Sequence, residues 1–486
     1  MTLWRRRVQA ARGTRTLHDD FVIQQCAFLK VASGGGNRTR VLYGEKAMNA
    51  TIAQPVPQQE APAFVPASRT ASGRPVWSLV LLVYAALMPP EMRLDLGGVV
   101  LYPDRAVLYA LLPLLLFSIA RGTFRFHLLD LAVLGAGAWM IVAITVNYGL
   151  GDGIVRGGAL GIDFALAYFV GRNAIGSVHD FRRLLVYISP GFFVAGAIMF
   201  AESVSGSLYV RPLAEKIFGV LPQYEGGQIV GEQERRYEIR LGLLRAYAGF
   251  PHAILGGTFL CSSVVLFASG RLRGFPKWGG IIGSLLGFFS LSSTAIMVLV
   301  ATAGLGAYEF IQRRVRELNW AVFTYAFVVL FALLELVSKG GAINALIRYL
   351  TLNPNTGNFR QLIWQYGSES VARNPWFGIG FESYERPQWM LTDSIDTHWL
   401  LAAVRFGLPA AIFLGLAFIG ATIAVARASG RVALEDRMTL RSMAFFLIAI
   451  ILAGFTVAFS GSILGFFIAM AGAAVTLSAS PTQSTS

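Results

Sequence analysis

Two side chains between Asn358 and Leu408, Arg360 and His398, could do chemistry together. A guanidinium fork grips phosphate oxygens bidentately and stays charged, which suits the binding of a diphosphate. An imidazole titrating near neutrality can take a proton from an attacking hydroxyl. Arg245, in LRAYAGFPHAILGG, adds a second cation of the same kind. Each residue also has a plainer role open to it. An arginine at a helix mouth can anchor to lipid head groups, and a lone interfacial histidine can simply be hydrogen-bonded.

The elements that must position these groups are membrane helices. Of 486 residues, 55% are hydrophobic and 14% charged, with a mean hydropathy of +0.57. That composition describes an all-α, polytopic integral membrane protein and excludes a soluble multi-domain chain. Continuously apolar stretches such as SMAFFLIAIILAGFTVAF lack the period-two pattern of barrel strands. The expected spans are 76–90, 104–120, 128–148, 155–175, 184–205, 246–269, 277–291, 293–311, 320–338, 396–426, 441–460 and 462–478, about twelve helices.

Alternating these spans puts RGTFRF, RNAIGSVHDFRR, SGRLRGFPK, QRRVRELN and RASGRVALEDRMTLR on one side. About fifteen basic residues lie there against about three in the short loops opposite, so the positive-inside rule predicts cytoplasmic N- and C-termini. Topology of this kind also accounts for the net charge of +14 and leaves no basic, aromatic-interleaved surface for nucleic acid. Two long loops, 206–245 and 339–395, then face outward, the second expected to be partly helical through QLIWQYGSESV.

Residues 1–75, with RRR, GGG and QPVPQQEAPAFVP, read as a disordered cytoplasmic tail, within which Met48 is a plausible translation start. Residues 76–245 form an N-terminal helical region with the first long loop, 246–478 a second region holding loop 339–395, and 479–486 a cytoplasmic tail. Cys26 and Cys261 imply neither a disulfide framework nor a metal site. At the outer lip Arg245, Arg360 and His398 are expected to meet. Gly249, Pro251, Gly256 and Gly257 should make the helix that follows Arg245 start irregularly and pack closely.

Residues 240–470 resemble the O-antigen ligase and polymerase superfamily of bacterial membrane glycosyltransferases. The resemblance rests on R-x-x-x-G-F-P-H at 245–252 with a following Gly256, F-R-x-x-x-W, N-P-W-F-G-I-G, D-T-H-W-L-L and R-F-G-L-P. It implies that Arg245 and Arg360 hold the diphosphate of an undecaprenyl-linked glycan donor and that His398 activates the hydroxyl of a glycan or glycolipid acceptor. It further implies a periplasmic site in the inner membrane, inversion at the anomeric carbon, and no metal or other cofactor. Other polysaccharide export or assembly proteins would be partners. In agreement, the chain offers no metal-spaced His/Cys/Asp cluster and no phosphate-binding loop.

Two departures mark this chain. The turn that carries Ser-Arg-Ser in many relatives is SLSSTA here, without arginine, and Trp399 follows His398 where many have Asn. The latter pattern resembles the exopolysaccharide or O-antigen polymerase branch more than the ligase branch. If His398 were dispensable, Asp396 or Glu382 could act as base. Arg211 could reach a glycan or head group, and Trp364, Trp376, Trp389 and Trp399 could stack on sugars or sit at the interface. Asp163, inside the fourth span, reads as a hydrogen-bonded structural residue before a functional one. Arg235, Arg236 and Arg240 read as a solvated helix face. A transporter would fit twelve helices equally, but it would show a repeat between halves and midplane polar groups. A non-catalytic assembly subunit is the third class.

Overall fold

The computed structural model describes residues 74–479 apart from 96–99, 123, 226–227, 233–236, 316, 339–353 and 391–392. The tail with Cys26 and Met48, residues 480–486, Arg235 and Arg236 lie outside the described residues, as do the expectations made for them.

Helices dominate. In chain order they are α1 (Val76–Leu87), α2 (Pro103–Ala120), α3 (Leu128–Tyr148), α4 (Leu150–Ala174), α5 (Val178–Ser205), α6 (Val210–Phe218), α7 (Ala253–Ser269) and α8 (Phe275–Leu286). A single 3₁₀ turn, Gly287–Ser290, precedes α9 (Ser293–Gln312) and α10 (Trp320–Val337). The chain continues through α11 (Pro354–Arg373), α12 (His398–Phe406), α13 (Leu408–Ser429), α14 (Leu434–Ala453) and α15 (Gly461–Ala479). Strands are confined to short antiparallel hairpins, β1–β2 (Leu94–Asp95 with Val100–Leu101), β3–β4 (Pro222–Glu225 with Gln228–Glu232) and β5–β6 (Ile239–Arg240 with Leu243–Leu244).

Every expected span has a helix, and α2, α3, α4, α5, α9, α10, α13 and α15 are long and apolar enough to cross a bilayer unaided. The protein is therefore an all-α, multi-pass membrane protein. One span needs correction. Residues 396–426 are not continuous: Gly407 takes φ +84°, a left-handed value that ends α12 after nine residues and lets α13 start in a new direction. Arg240 is corrected as well, since it lies in strand β5 and not on a helix face.

Close backbone approach holds the helices together, as expected where lipid gives no hydrophobic drive for association. A Cβ on Gly161 of α4 would sit 2.4 Å from the Gly137 carbonyl of α3, and one on Gly196 of α5 would sit 2.2 Å from Gly283 of α8. By contrast α10 has no buried residue.

At the end carrying the short basic connections, arginines meet carboxylates. Arg172 Nη2 lies 3.0 Å from Asp130 Oδ2, both buried, and the Tyr168 hydroxyl donates to the other Asp130 oxygen at 2.8 Å. Arg182 pairs with Asp436 at 2.9 Å, and Glu309 is held between Arg313 and Arg441.

Candidate active site

At the opposite end the first long loop is tied down by Glu202 near the C-terminus of α5. Fully buried, its carboxylate accepts the N–H groups of Tyr209, Val210, Tyr247 and Ala248 at 2.8 to 3.4 Å. Ala248 takes a left-handed φ of +47° there, one of four such non-glycine residues among those described. Arg211, on α6, is spent on the protein: its Nε binds the fully buried Glu91 and its Nη1 donates to the Pro251 carbonyl at 2.8 Å. The irregular start of α7 is tightly packed as anticipated, a Cβ on Gly257 meeting Ser290 Oγ at 2.0 Å.

Arg245 is 1% exposed. Its Nε donates to the Ser290 carbonyl at 3.1 Å, its Nη1 to Glu238, and its Nη2 has no partner. Arg240 reaches the same two places, Nη1 to the Leu291 carbonyl at 3.4 Å and Nη2 to Glu238 at 3.3 Å. Leu291, at φ +46°, ends the 3₁₀ turn beside them. Thus the arginine-free turn SLSSTA receives two guanidiniums from β5–β6 and the segment that follows. Burial alone would raise the Glu238 carboxyl, but the charge and hydrogen bond of Arg245, with Arg240, outweigh it and hold it below the usual carboxylate range.

Arg360 lies on α11, 6% exposed, with Nε unpartnered and no carboxylate at bonding distance among the described residues. Burial lowers its pKa, Asp396 opposes that shift, and Arg240 adds to it. Arg240 is therefore within electrostatic reach of both Arg245 and Arg360, which brings the two long loops to one place. Asp396 is half-buried and accepts the Ser394 hydroxyl at 3.0 Å, while Glu382 is exposed.

His398 opens α12, too short to span a membrane. Its N–H donates to the Gly454 carbonyl at 2.7 Å and its ring packs against Phe459 with centroids 5.0 Å apart. Neither ring nitrogen has a hydrogen-bond partner, although the residue is only 6% exposed; the adjacent Thr397 hydroxyl is likewise unpartnered. Burial pushes the imidazole down to about 4, so it is neutral at physiological pH and has one ring nitrogen able to accept a proton. His398 lines a cavity of about 650 Å³.

Main-chain bonds fix α12. Ile379 and Gly380 donate to the Val404 and Arg405 carbonyls at 2.8 and 3.0 Å, and Leu408 donates to Pro375 at 2.8 Å, so N-P-W-F-G-I-G and R-F-G-L-P form one unit. A Cβ on Gly407 would fall 1.9 Å from the Trp376 carbonyl. Trp139 of α3 donates to that carbonyl at 2.9 Å and stacks on Phe377. Of the tryptophans, Trp399 donates to Ile451 at 3.0 Å and packs on Phe418, and Trp364 stacks on Phe455. Trp376 and Trp389 are exposed.

This unit of α11, the N-P-W-F-G-I-G strap, α12 and the start of α13 lies within a stretch that can be compared with known proteins. Residues 278–415 match the O-antigen ligase family. The resemblance to the O-antigen ligase and polymerase superfamily holds on that match, and a ligase- or polymerase-type function is supported with it. A search among curated proteins finds no match. The matched segment contains Arg360, Asp396 and His398 but begins after Arg245, Arg240 and Glu238, which belong to the preceding loop, and after Glu202 of α5. Among the described residues no three His, Cys, Asp or Glu side chains are grouped to hold a metal.

Sequence reasoning passed over Glu238, Glu202 and Arg105, and read Arg240 only as part of a solvated helix face. Glu238 and Arg240 are masked by an alternating charge run, and only the reversal at Leu241–Gly242, both at positive φ, turns them toward Arg245. Glu202 carried one signal, an acidic residue within an otherwise apolar helical stretch.

Proposed function

We propose that this protein is a metal-independent inverting glycosyltransferase that polymerises undecaprenyl-diphosphate-linked repeat units into O-antigen or exopolysaccharide. The observation that carries the reading is that Arg360, its Nε unpartnered, lies within electrostatic reach of Arg240 and so of Arg245, while buried His398, two residues from the Asp396 that Arg360 senses, has neither ring nitrogen bonded. Such groups are costly to bury unless a ligand completes them.

In this reading Arg360, Arg245 and Arg240 neutralise the donor diphosphate. The acceptor hydroxyl oxygen attacks the anomeric carbon, the bond from that carbon to the diphosphate oxygen breaks, and the electron pair leaves with the diphosphate. A free ring nitrogen of His398 takes the hydroxyl proton. Attack opposite the leaving group inverts the configuration. Asp396 supports the charge of Arg360. The site would lie at the periplasmic face of the inner membrane, with both termini cytoplasmic, and work beside other export or assembly proteins. Ligation of finished polymer to an acceptor lipid is the second reading, favoured by the ligase description of the matched family.

Electrophoresis of surface and lipid-linked glycans from a deletion strain tests both. Single repeats without a ladder indicate a polymerase, and full-length polymer stranded on its carrier indicates a ligase. An unchanged profile removes the catalytic reading and leaves a transporter or scaffold.

A further inference from the structure

The cavity beneath His398 has a second polar wall, unexplained by diphosphate binding. On α12, His398, Leu401, Ala402 and Arg405 fall at i, i+3, i+4 and i+7, one helical face, and all line it. Across the cavity stand Arg105 at the start of α2 and Asp163 in the middle of α4, paired at 2.6 Å. That pair uses Oδ2, and the Tyr109 hydroxyl on α2 also bonds the Asp163 carboxylate. An ion pair inside a membrane helix is expensive, and the usual reason for one is a wet or ligand-lined cavity. Here the pair lines the same cavity as His398.

Arg240, Arg245 and Arg360 fit a diphosphate, and none of them lines this cavity. The cavity presents carboxylates at Asp104 and Asp163, donors at Arg105 and Arg405, and further polar groups at Gln223 and Ser462 among apolar walls. Carboxylates there repel phosphate, and a polyprenyl chain has no use for four charged groups. A hydroxyl-rich, uncharged sugar end satisfies all of them: its O–H groups donate to Asp163 and its oxygens accept from the arginines. About 650 Å³ is in the range of small-molecule sites, roughly 300 to 1,000 Å³.

We infer that this cavity is the acceptor subsite, taking the uncharged hydroxyl-bearing end of a glycan, with Asp163 and Arg105 reading its hydroxyls and His398 between it and the donor diphosphate. The inference rests on the glycosyl-transfer reading. It also puts acceptor choice on α2 and α4, which lie outside the segment matched to the O-antigen ligase family.

The test uses the full-length protein in nanodiscs, with Cys26→Ser and Ser462→Cys. Ser462 lines the cavity, and the remaining Cys261 is fully buried. A maleimide then labels the introduced thiol after folding. The host's repeat-unit oligosaccharide, freed of lipid and diphosphate, is expected to slow labelling, and undecaprenyl phosphate is not. Adding Asp163→Asn should abolish that protection and, in transfer assays, raise the acceptor KM about tenfold while the donor KM stays put, since one lost hydrogen bond to a hydroxyl is of that order. Protection by undecaprenyl phosphate alone, or transfer with an unaltered acceptor KM in Asp163→Asn, overturns the inference and leaves the transfer reading intact. Wild-type protein that neither transfers nor is protected overturns both.

Discussion

Both ends of the helical bundle pair arginine with carboxylate, and they differ at Arg360 and His398. Where the short basic connections lie, Arg172, Arg182, Arg313 and Arg441 each rest against a carboxylate. Where the long loops lie, Arg211 and Arg245 also meet carboxylates, but among the described residues Arg360 has none at bonding distance and His398 has no partner for either ring nitrogen. The first arrangement is what burial of charge requires for a stable fold. The second leaves Arg360 and His398 short of protein partners, and on the proposed reading a substrate supplies them.

Substitution sharpens that contrast most strongly at the unpaired groups. His398→Ala or Arg360→Ala should lower polymer formation by about 10² to 10⁴, the range for losing a general base or an oxyanion-stabilising donor, with membrane levels unchanged on immunoblots. Loss of protein along with product would erase the distinction. At the other end Arg172→Ala strands the buried Asp130, a cost of about 3–5 kcal/mol. Protein level should fall there while turnover per remaining molecule stays near normal.

Gly407→Ala tests the strap between the ends. It forces a left-handed conformation on alanine and drives a Cβ toward the Trp376 carbonyl, a strain of about 1–3 kcal/mol, so partial and heat-sensitive loss of product is expected. The effect of pH should be smaller still. His398 works in its neutral form, and burial holds it at about 4, so protonation reduces kcat/KM only as pH falls toward 4; across pH 5 to 8 this group adds no limb. An acid limb near 6.5 that vanishes in His398→Ala would show the imidazole to be solvated. Least affected should be Arg373→Ala. Its pairs with Glu369 and Glu385 are exposed and contribute less than about 1 kcal/mol, so both glycan profile and protein level should match wild type.

Much of the helical frame is legible in the residues, because a backbone in lipid has little choice but to be helical. The stretch Leu128–Tyr148 coincides with its expected span. Arg360 and His398 stood out because lone polar groups between apolar segments are costly. What was illegible depends on partners distant in sequence. LLAAVRFGLPAAI reads as one continuous helix until the Trp376 carbonyl occupies the space beside Gly407. Arg105 looks like an interfacial cation until α4 brings Asp163 within 2.6 Å of it. Arg240 becomes part of the site only because β5–β6 folds it onto Leu291.

The tether at Glu202 has a consequence in the order of synthesis. Its partners Tyr209 and Val210 follow at once, so the loop can begin to fold onto α5 as it emerges, and Tyr247 and Ala248 close it before α7 is made. Arg245 must then wait for Ser290, and His398 for Gly454, whose carbonyl takes its N–H. The site is thus completed from its oldest residue to its youngest. A chain that ends before Gly454 would carry Arg245, Arg360 and His398 and still lack the carbonyl that takes the His398 N–H.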